Sequence, residues 1–187
     1  SLYHELMHIE AWWMAFQDLG YAPPERLEIA DAPSAQHLAF PDGEVELGSG
    51  PDAGFIFDNE KWQHAALVPA FDIDARPVSE AGFAEFVDAG GYHHKAMWSE
   101  AGWGWRTASE ASHPVYWRRD AGGWQARRFD RWMSLQADAP MLHVNRYEAE
   151  AWAAWQGRRL PTAAQWLRAT ARQEFSWGKA WEWMRDP

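Results

Sequence analysis

Residues 145–166 read N-R-Y-E-A-E-A-W-A-A-W-Q-G-R-R-L-P-T-A-A-Q-W and contain two signals for the start of a helix. Asn145 is followed three residues later by a glutamate, and Thr162 is followed three residues later by a glutamine. Both pairs fit a capping box, in which the two residues hydrogen-bond each other's backbone N–H groups. Gly157 between them is a natural helix end. The sequence therefore predicts one helix from Asn145 to Gly157 and a second from Thr162 to about Arg172.

The chain from about residue 44 combines short strands with a further helix. Ser79 precedes a predicted helix over Glu80–Ala89, which Gly90 and Gly91 end. Short apolar runs between Gly, Pro and Asp residues predict strands. The predicted strands are Glu44–Leu47, Phe55–Phe57, His64–Val68, Phe71–Ile73, and a hairpin of Val115–Arg119 and Trp124–Phe129 around the turn Asp120–Gly123. We expect an α+β fold, rich in loops and held together by its fifteen tryptophans.

The composition disfavours several classes of function. The 187 residues carry a formal charge of -10, whereas a nucleic-acid surface needs basic side chains to displace phosphate counterions. The sequence has no cysteine, so it offers neither thiolate metal ligands nor a cysteine nucleophile. It has no apolar run of the roughly 18 residues that cross a bilayer, and no secretory signal. We expect a cytoplasmic protein that acts on small molecules, without nucleic acid or a membrane as partner.

The first twenty residues have the pattern of a helix. Leu6, Ile9, Trp13 and Phe16 recur at intervals of three and four residues, and Gly20 ends the pattern. A single helix cannot bury its apolar surface without partners. We therefore expect residues 1–20 to be the last helix of a helical bundle, residues 21–43 a linker, and residues 44–187 a second domain.

His4 and His8 lie one turn apart on this predicted helix. At about 100° per residue, their side chains share a face, so both imidazoles can reach one metal ion. Met7 and Ala11 lie beside them on that face. Glu10 lies on its flank, where it can support a ligand or contact a substrate. We expect His4 and His8 to be metal ligands.

The run H-E-L-M-H at residues 4–8 has three interpretations from the residues alone. The two histidines can share a solvated face by chance. The run also matches the H-E-x-x-H pattern of zinc proteases, with Glu5 as the base, although the extended form of that pattern requires glycine and histidine where this chain has Ala11 and Met14. Finally, imidazoles with open positions beside them suit a non-heme ferrous ion that activates oxygen.

Five further motifs follow in order and resemble a known domain. They are G-S-G-P-D-A-G-F-I-F-D-N-E at 48–60, P-V-S-E-A-G-F-A-E-F-V-D-A-G-G-Y at 77–92, M-W-S-E-A-G-W at 97–103, the run E-A-E-A-W through T-A-A-Q-W at 148–166, and W-E-W at 181–183. This succession resembles the formylglycine-generating-enzyme-type domain. Together with the H-x-x-x-H-x-E helix it resembles the ergothioneine-biosynthesis sulfoxide synthases, which join a DinB-like helical bundle to such a domain. H-P-V-Y-W-R-R-D at 113–120 and R-R-F-D-R-W at 127–132 resemble the branch that makes selenoneine.

The resemblance implies a fold, a metal and a reaction. The fold is the end of a DinB-like bundle followed by an irregular, C-type-lectin-like domain, truncated at both ends. The metal is Fe(2+), held by three histidines, of which two match His4 and His8. The reaction uses O2 to join the imidazole of hercynine, the trimethylated histidine, to a thiol or seleno-sugar donor, and gives a sulfoxide or selenoxide.

The chain departs from the family in three places. The third histidine of the family lies upstream of Ser1, and the family's catalytic tyrosine lies beyond Pro187, so the resemblance implies a fragment of a longer enzyme. The family commonly has glutamine before the second histidine, where it helps to hold the substrate. Here that residue is Met7. Met7 and Glu10 are the candidate substrate-binding residues.

Two other functions share this kind of domain. One is a formylglycine-generating oxidase, whose chemistry relies on cysteines. The other is a non-catalytic binding module, since the same irregular fold also serves as a ligand-binding scaffold. The basic pairs Arg118–Arg119 and Arg127–Arg128 suggest either a small anion-binding patch or, as we expect, a solvated hairpin face.

Overall fold

The computed structural model describes residues 2–23, 36–178 and 180–186. The α-helices are α1 (Leu2–Leu19), α2 (Glu80–Asp88), α3 (Glu100–Ser109), α4 (Arg146–Trp155) and α5 (Ala163–Ala169). The strands are β1 (His37–Phe40), β2 (Gly43–Leu47), β3 (His64–Val68), β4 (Phe71–Asp74), β5 (Trp117–Asp120), β6 (Gly123–Arg128) and β7 (Arg131–Ser134). This mixture of helices and antiparallel strands confirms the predicted α+β class.

The strands form three small antiparallel sheets. β1 pairs with β4, and β2 pairs with β3 so that Gly43 lies opposite Val68. The third sheet has the order β5-β6-β7, with Trp117 opposite Ala126 and Ala126 opposite Met133. Because each strand has only four to six residues, the sheets contribute little extended surface, and the loops between them carry much of the chain.

The core consists of two apolar clusters. The larger one packs α2 and α4 against the β5–β6 hairpin, and its buried members are Phe83, Phe86, Val87, Tyr92, Trp98, Trp117, Ala126 and Ala151. The smaller one packs α5 against the β1–β4 pair, and its buried members are Leu38, Phe40, Ala75, Ala169 and Phe175. Four of the thirteen buried members are phenylalanine and two are tryptophan, so aromatic packing holds the domain as predicted.

The predicted helix starts are confirmed. Asn145 accepts a hydrogen bond from the backbone N–H of Glu148, and the Glu148 side chain accepts one from the Asn145 N–H in return. Thr162 and Gln165 form the same reciprocal pair at the start of α5. Both capping boxes satisfy backbone donors that have no partner within the helix.

One predicted strand is wrong, and two strands and one α-helix of the described residues were not predicted. The residues Phe55–Phe57 lie in a turn-rich loop outside the strand pairs, and the ring of Phe55 stacks on Tyr3 of α1 with centroids 4.9 Å apart. β1 falls within the stretch 21–43 predicted as a linker, of which residues 24–35 lie outside the described part. β7 and α3 were the other elements that the sequence pattern did not indicate.

Within the described residues, every helix is too short or too polar to cross a membrane.

Candidate metal centre

α1 packs one side against the sheet β5–β7. Gln17 is 3% exposed, and Glu10, Trp13 and Phe16 are partly buried on neighbouring turns. The ring of Trp13 meets that of Phe129 at 5.7 Å between centroids. Residues at intervals of three and four share one side of a helix, so this spacing defines the packed side of α1.

The structure brings His4 and His8 together on the opposite side of α1. Their Nε2 atoms are 3.0 Å apart, and the ring planes are nearly perpendicular, at 89°. Both side chains are exposed. On an ideal helix their direction differs from that of Glu10, Trp13 and Gln17 by about 120–180°. The histidine pair therefore points away from the sheet β5–β7.

The spacing of the two nitrogens fits two ligands of one metal ion. A histidine nitrogen binds a transition metal at about 2.0–2.1 Å, and two such bonds at a right angle put the nitrogens about 3.0 Å apart. The observed Nε2–Nε2 distance has this value. Residues 2–23, 36–178 and 180–186 contain no cluster of three His, Cys, Asp or Glu side chains that could hold a metal ion. Within the described residues the pair stands without a third such side chain, and its role as a metal-ligand pair stays a prediction.

Glu10 and Met7, the candidate substrate-binding residues, have different surroundings. The indole N–H of Trp181 donates a hydrogen bond to Oε1 of Glu10, which ties the W-E-W segment to α1. Met7 is 57% exposed on the histidine side. Glu10 is therefore held by the domain, whereas Met7 lies next to His4 and His8.

Gln17 and Trp181 are contact residues that the sequence did not indicate. The side-chain amide of Gln17 forms hydrogen bonds with two backbone groups of the sheet, and Trp181 forms one with Glu10. The partners lie 110 to 171 positions away along the chain. No local pattern signals such pairs, although a glutamine among apolar residues at helical spacing is a weak indication of a buried contact.

The four arginines of the predicted hairpin do not form an anion-binding patch. Arg118 and Arg119 are both exposed and, as neighbours in β5, point to opposite faces; Arg119 pairs with Asp88 at 2.9 Å. Arg127 turns toward α1 and donates to the backbone oxygen of Asp18 at 3.2 Å. Arg128 forms a buried ion pair with Glu80. The four guanidiniums therefore share no common site, and the expected solvated face holds for Arg118 and Arg119 but not for Arg127 and Arg128, which are partly buried.

Several of the other histidines contact nearby residues, among them His64, His93 and His143. His64 pairs with the backbone oxygen of Trp62 at 2.9 Å, and His93 lies 3.2 Å from a guanidinium nitrogen of Arg106. His143 lies edge-on to the Tyr116 ring. Desolvation of the His143 imidazole, followed by the charges of the two arginines at positions 128 and 127, lowers its pKa.

Comparisons with known proteins agree with this architecture. The sulfatase-modifying factor enzyme 1-like domain matches residues 25–186. The chain is 38% identical over 143 residues to a hercynine oxygenase from Mycolicibacterium thermoresistibile, covering 73% of this chain and 31% of that protein. It is 41% identical over 128 residues to a hercynine oxygenase from Mycobacterium tuberculosis, covering 65% and 30%. It is also 30% identical over 165 residues to a formylglycine-generating enzyme from Streptomyces coelicolor, covering 75% and 50%.

The chain spans about a third of the length of the two hercynine oxygenases that it matches. The matches confirm the predicted resemblance for the formylglycine-generating-enzyme-type domain, whereas the DinB-like bundle stays a prediction. The family match covers the chain from just after α1 to its last described residues. The chain therefore belongs to the sulfatase-modifying factor enzyme 1-like domain family.

Proposed function

We propose that this chain is part of a non-heme iron, O2-dependent hercynine oxygenase that forms a carbon–sulfur or carbon–selenium bond. The observation that carries the proposal is the histidine pair, whose Nε2 atoms lie 3.0 Å apart on a helix packed against this domain. The identity of 38–41% to proteins named hercynine oxygenase supports the choice of substrate.

His4 and His8 hold Fe2+ through their Nε2 atoms, together with a ligand from outside the described residues. Bound iron would supply the redox chemistry that couples O2 to formation of the new bond. The overall reaction is balanced. Hercynine loses a C–H hydrogen and the donor its S–H or Se–H hydrogen, and one C–S or C–Se bond forms. One oxygen atom of O2 ends on the sulfur or selenium and the other leaves as water.

Glu10 and Met7 contact the substrate in this proposal. The hydrogen bond from Trp181 fixes the Glu10 carboxylate two residues beyond His8, where its charge suits a cationic substrate. Met7 offers a polarisable thioether in place of an amide. Orientation of the substrate imidazole at Met7 therefore relies on shape more than on hydrogen bonds.

α1 is the last helix of a DinB-like bundle in this proposal. Around its circumference it exposes large apolar side chains, namely Leu2, Leu6, Ile9, Trp12, Met14 and Leu19. Such a surface fits burial by neighbouring helices. The cytoplasmic location expected from the sequence remains part of the same proposal.

The test uses the full-length protein, loaded with Fe2+ under exclusion of oxygen and then given O2 and hercynine. One arm receives a thiol donor and the other a selenium-containing sugar. We expect mass spectrometry to find an adduct with the mass of hercynine plus donor plus one oxygen minus two hydrogens. The donor that gives the adduct identifies the sulfur or the selenium branch.

Two further arms separate the alternatives. A cysteine-containing peptide tests formylglycine formation, which the relative from Streptomyces coelicolor makes the second candidate. The same peptide with Zn2+ tests proteolysis through Glu5. Absence of an adduct with both donors contradicts the proposal, and conversion of the peptide cysteine to an aldehyde replaces it with the second candidate.

A further inference from the structure

The side-chain amide of Gln17 pairs with the backbone of the sheet through two hydrogen bonds. Its Nε2 donates to the backbone oxygen of Arg127 at 3.1 Å, and its Oε1 accepts the backbone N–H of Phe129 at 2.8 Å. Gln17 is 3% exposed. An amide can satisfy this pair of groups only in one orientation, because the donor and the acceptor differ.

Apolar packing alone leaves the rotation of α1 about its axis poorly determined. Large apolar side chains surround the helix, so several sides could pack against a sheet. A buried polar side chain selects one arrangement, because any other leaves its partners buried without hydrogen bonds. If α1 turned away, the Arg127 oxygen and the Phe129 N–H would lose the partner that Gln17 supplies.

Neighbouring contacts agree with the same rotation. Arg127 donates to the backbone oxygen of Asp18 at 3.2 Å, and the hydroxyl of Tyr116 donates to the Asp18 carboxylate at 3.1 Å. These contacts surround Gln17 at the C-terminal end of the helix, three turns from the histidine pair. A helix is stiff over this length, so a rotation fixed at Gln17 is fixed at His4 and His8 as well.

We infer that Gln17 is a positioning residue that sets the rotation of α1 on the domain and thereby the place of His4 and His8 relative to the rest of the domain. Its effect on turnover rests on the proposed function, whereas its effect on the packing of α1 does not. Gln17 itself lies on the packed side of the helix and contacts neither metal nor substrate.

The test compares Gln17→Leu and Gln17→Glu in the full-length protein. Leucine removes both hydrogen bonds, and we expect kcat/KM for hercynine to fall about 100-fold, as for a misplacement of about 1 Å. Fe2+ stoichiometry stays at the wild-type value, because both histidines are intact. Gln63→Leu is the matched control, since it makes the same change at an exposed amide that donates to Glu46.

Gln17→Glu separates positioning from mere stability. The ionised carboxylate repels the Arg127 oxygen, whereas the protonated carboxyl can donate to it and still accept the Phe129 N–H. Burial raises the pKa of such a carboxyl. We therefore expect the ratio of Gln17→Glu to wild-type kcat/KM to rise as the pH falls from about 8 to about 6, while the ratio for Gln17→Leu stays constant.

A readout without turnover keeps the two proposals apart. Hydrogen exchange of the Phe129 amide should accelerate in Gln17→Leu, and in Gln17→Glu at high pH only. If wild-type protein makes no adduct, the proposed function fails, and exchange still tests the packing. Unchanged exchange at Phe129, or a loss of kcat/KM no larger than the loss of folded protein, overturns the inference.

Discussion

The hydroxyl of Tyr92 donates a 2.5 Å hydrogen bond to Oε1 of Glu148, and both residues are buried, with 0% and 3% exposed. The second carboxylate oxygen of Glu148 accepts the backbone N–H of Asn145 at 2.8 Å. The Glu148 side chain thus caps α4 and also ties this helix to the turn that follows α2. Burial raises the pKa of Glu148, against the lowering effect of these hydrogen bonds.

Replacing Tyr92 by Phe should lower the free energy of unfolding by about 1–3 kcal/mol. The change removes only the hydroxyl and leaves Oε1 of Glu148 buried without this donor. Urea denaturation at constant pH measures the loss. Tyr3→Phe is the control, because Tyr3 is 48% exposed and the same change there should stay within about 0.5 kcal/mol. Equal effects of both changes would contradict the role of the contact.

Glu148 should make stability fall as the pH rises. Its pKa is raised in the folded state, so above the unfolded value of about 4.5 the folded protein binds more protons than the unfolded chain. The free energy of unfolding therefore decreases from about pH 4.5 upward, until the folded pKa is passed. Glu148→Gln should flatten this decline, measured by urea denaturation between about pH 5 and 8. A decline as steep in the variant as in the wild type would refute the assignment.

Arg128→Met should destabilise the protein by about 3–5 kcal/mol, because Glu80 is 2% exposed and would remain buried with an uncompensated charge. Arg119→Met is the matched control. Both side chains of the Arg119–Asp88 ion pair are exposed. Loss of this pair should lower the free energy of unfolding by no more than about 1 kcal/mol. Thermal melting of both variants gives the comparison, and a similar shift in the two would rule out a special role for the buried pair.

Gly91→Ala should be strongly destabilising, and Gly104→Ala should be stabilising. A Cβ on Gly91 would lie 2.0 Å from a ring carbon of Phe86, which is fully buried. We expect a loss of about 3 kcal/mol. A Cβ on Gly104 in the exposed middle of α3 meets nothing within 4 Å, and alanine there should gain about 0.5–1 kcal/mol. Chemical denaturation measures the free energy of unfolding of both variants and so shows which is destabilised and which is stabilised. An unchanged free energy of unfolding for Gly91→Ala would mean that α2 can shift.

His4→Ala and His8→Ala should each abolish binding of one Fe2+ by the full-length protein. Each removes one of two nitrogens that lie 3.0 Å apart. Calorimetric titration without oxygen measures the binding, and a chelator should release the metal from wild-type protein. His94→Ala serves as control, since His94 is an exposed histidine elsewhere in the domain. Wild-type affinity in either helix variant would exclude the pair as ligands.

The sequence predicted the elements whose signals are local. The bounds of α1 and β3 and both capping boxes are confirmed, because periodicity and capping depend on residues a few positions apart. α3 was not predicted because Gly102 and Gly104 have low helix propensity. β7 was not predicted because the turn before it uses Phe129 at a φ of 56°, a left-handed conformation that usually signals glycine or asparagine.

For the candidate site, too, the sequence predicted the local features but not the contacts between distant residues. The spacing of His4 and His8 is local, and the structure brings their nitrogens to the distance that shared ligands need. The packed side of α1 depends on Gln17 and its distant partners, and nothing near Gln17 in the sequence identifies them. Metal binding itself stays a prediction.

The contact of Gln17 with Arg127 can form only some time after α1 itself has been synthesised. The two residues are 110 positions apart. A ribosome that adds roughly 5–20 residues per second needs roughly 5–20 s to make the chain between them. During that time the helix that carries the histidines has emerged without its sheet, and the side that carries Trp13 and Gln17 is open to chaperones or to aggregation. Slower translation of residues 18–127 would lengthen this exposure without changing any contact in the finished fold.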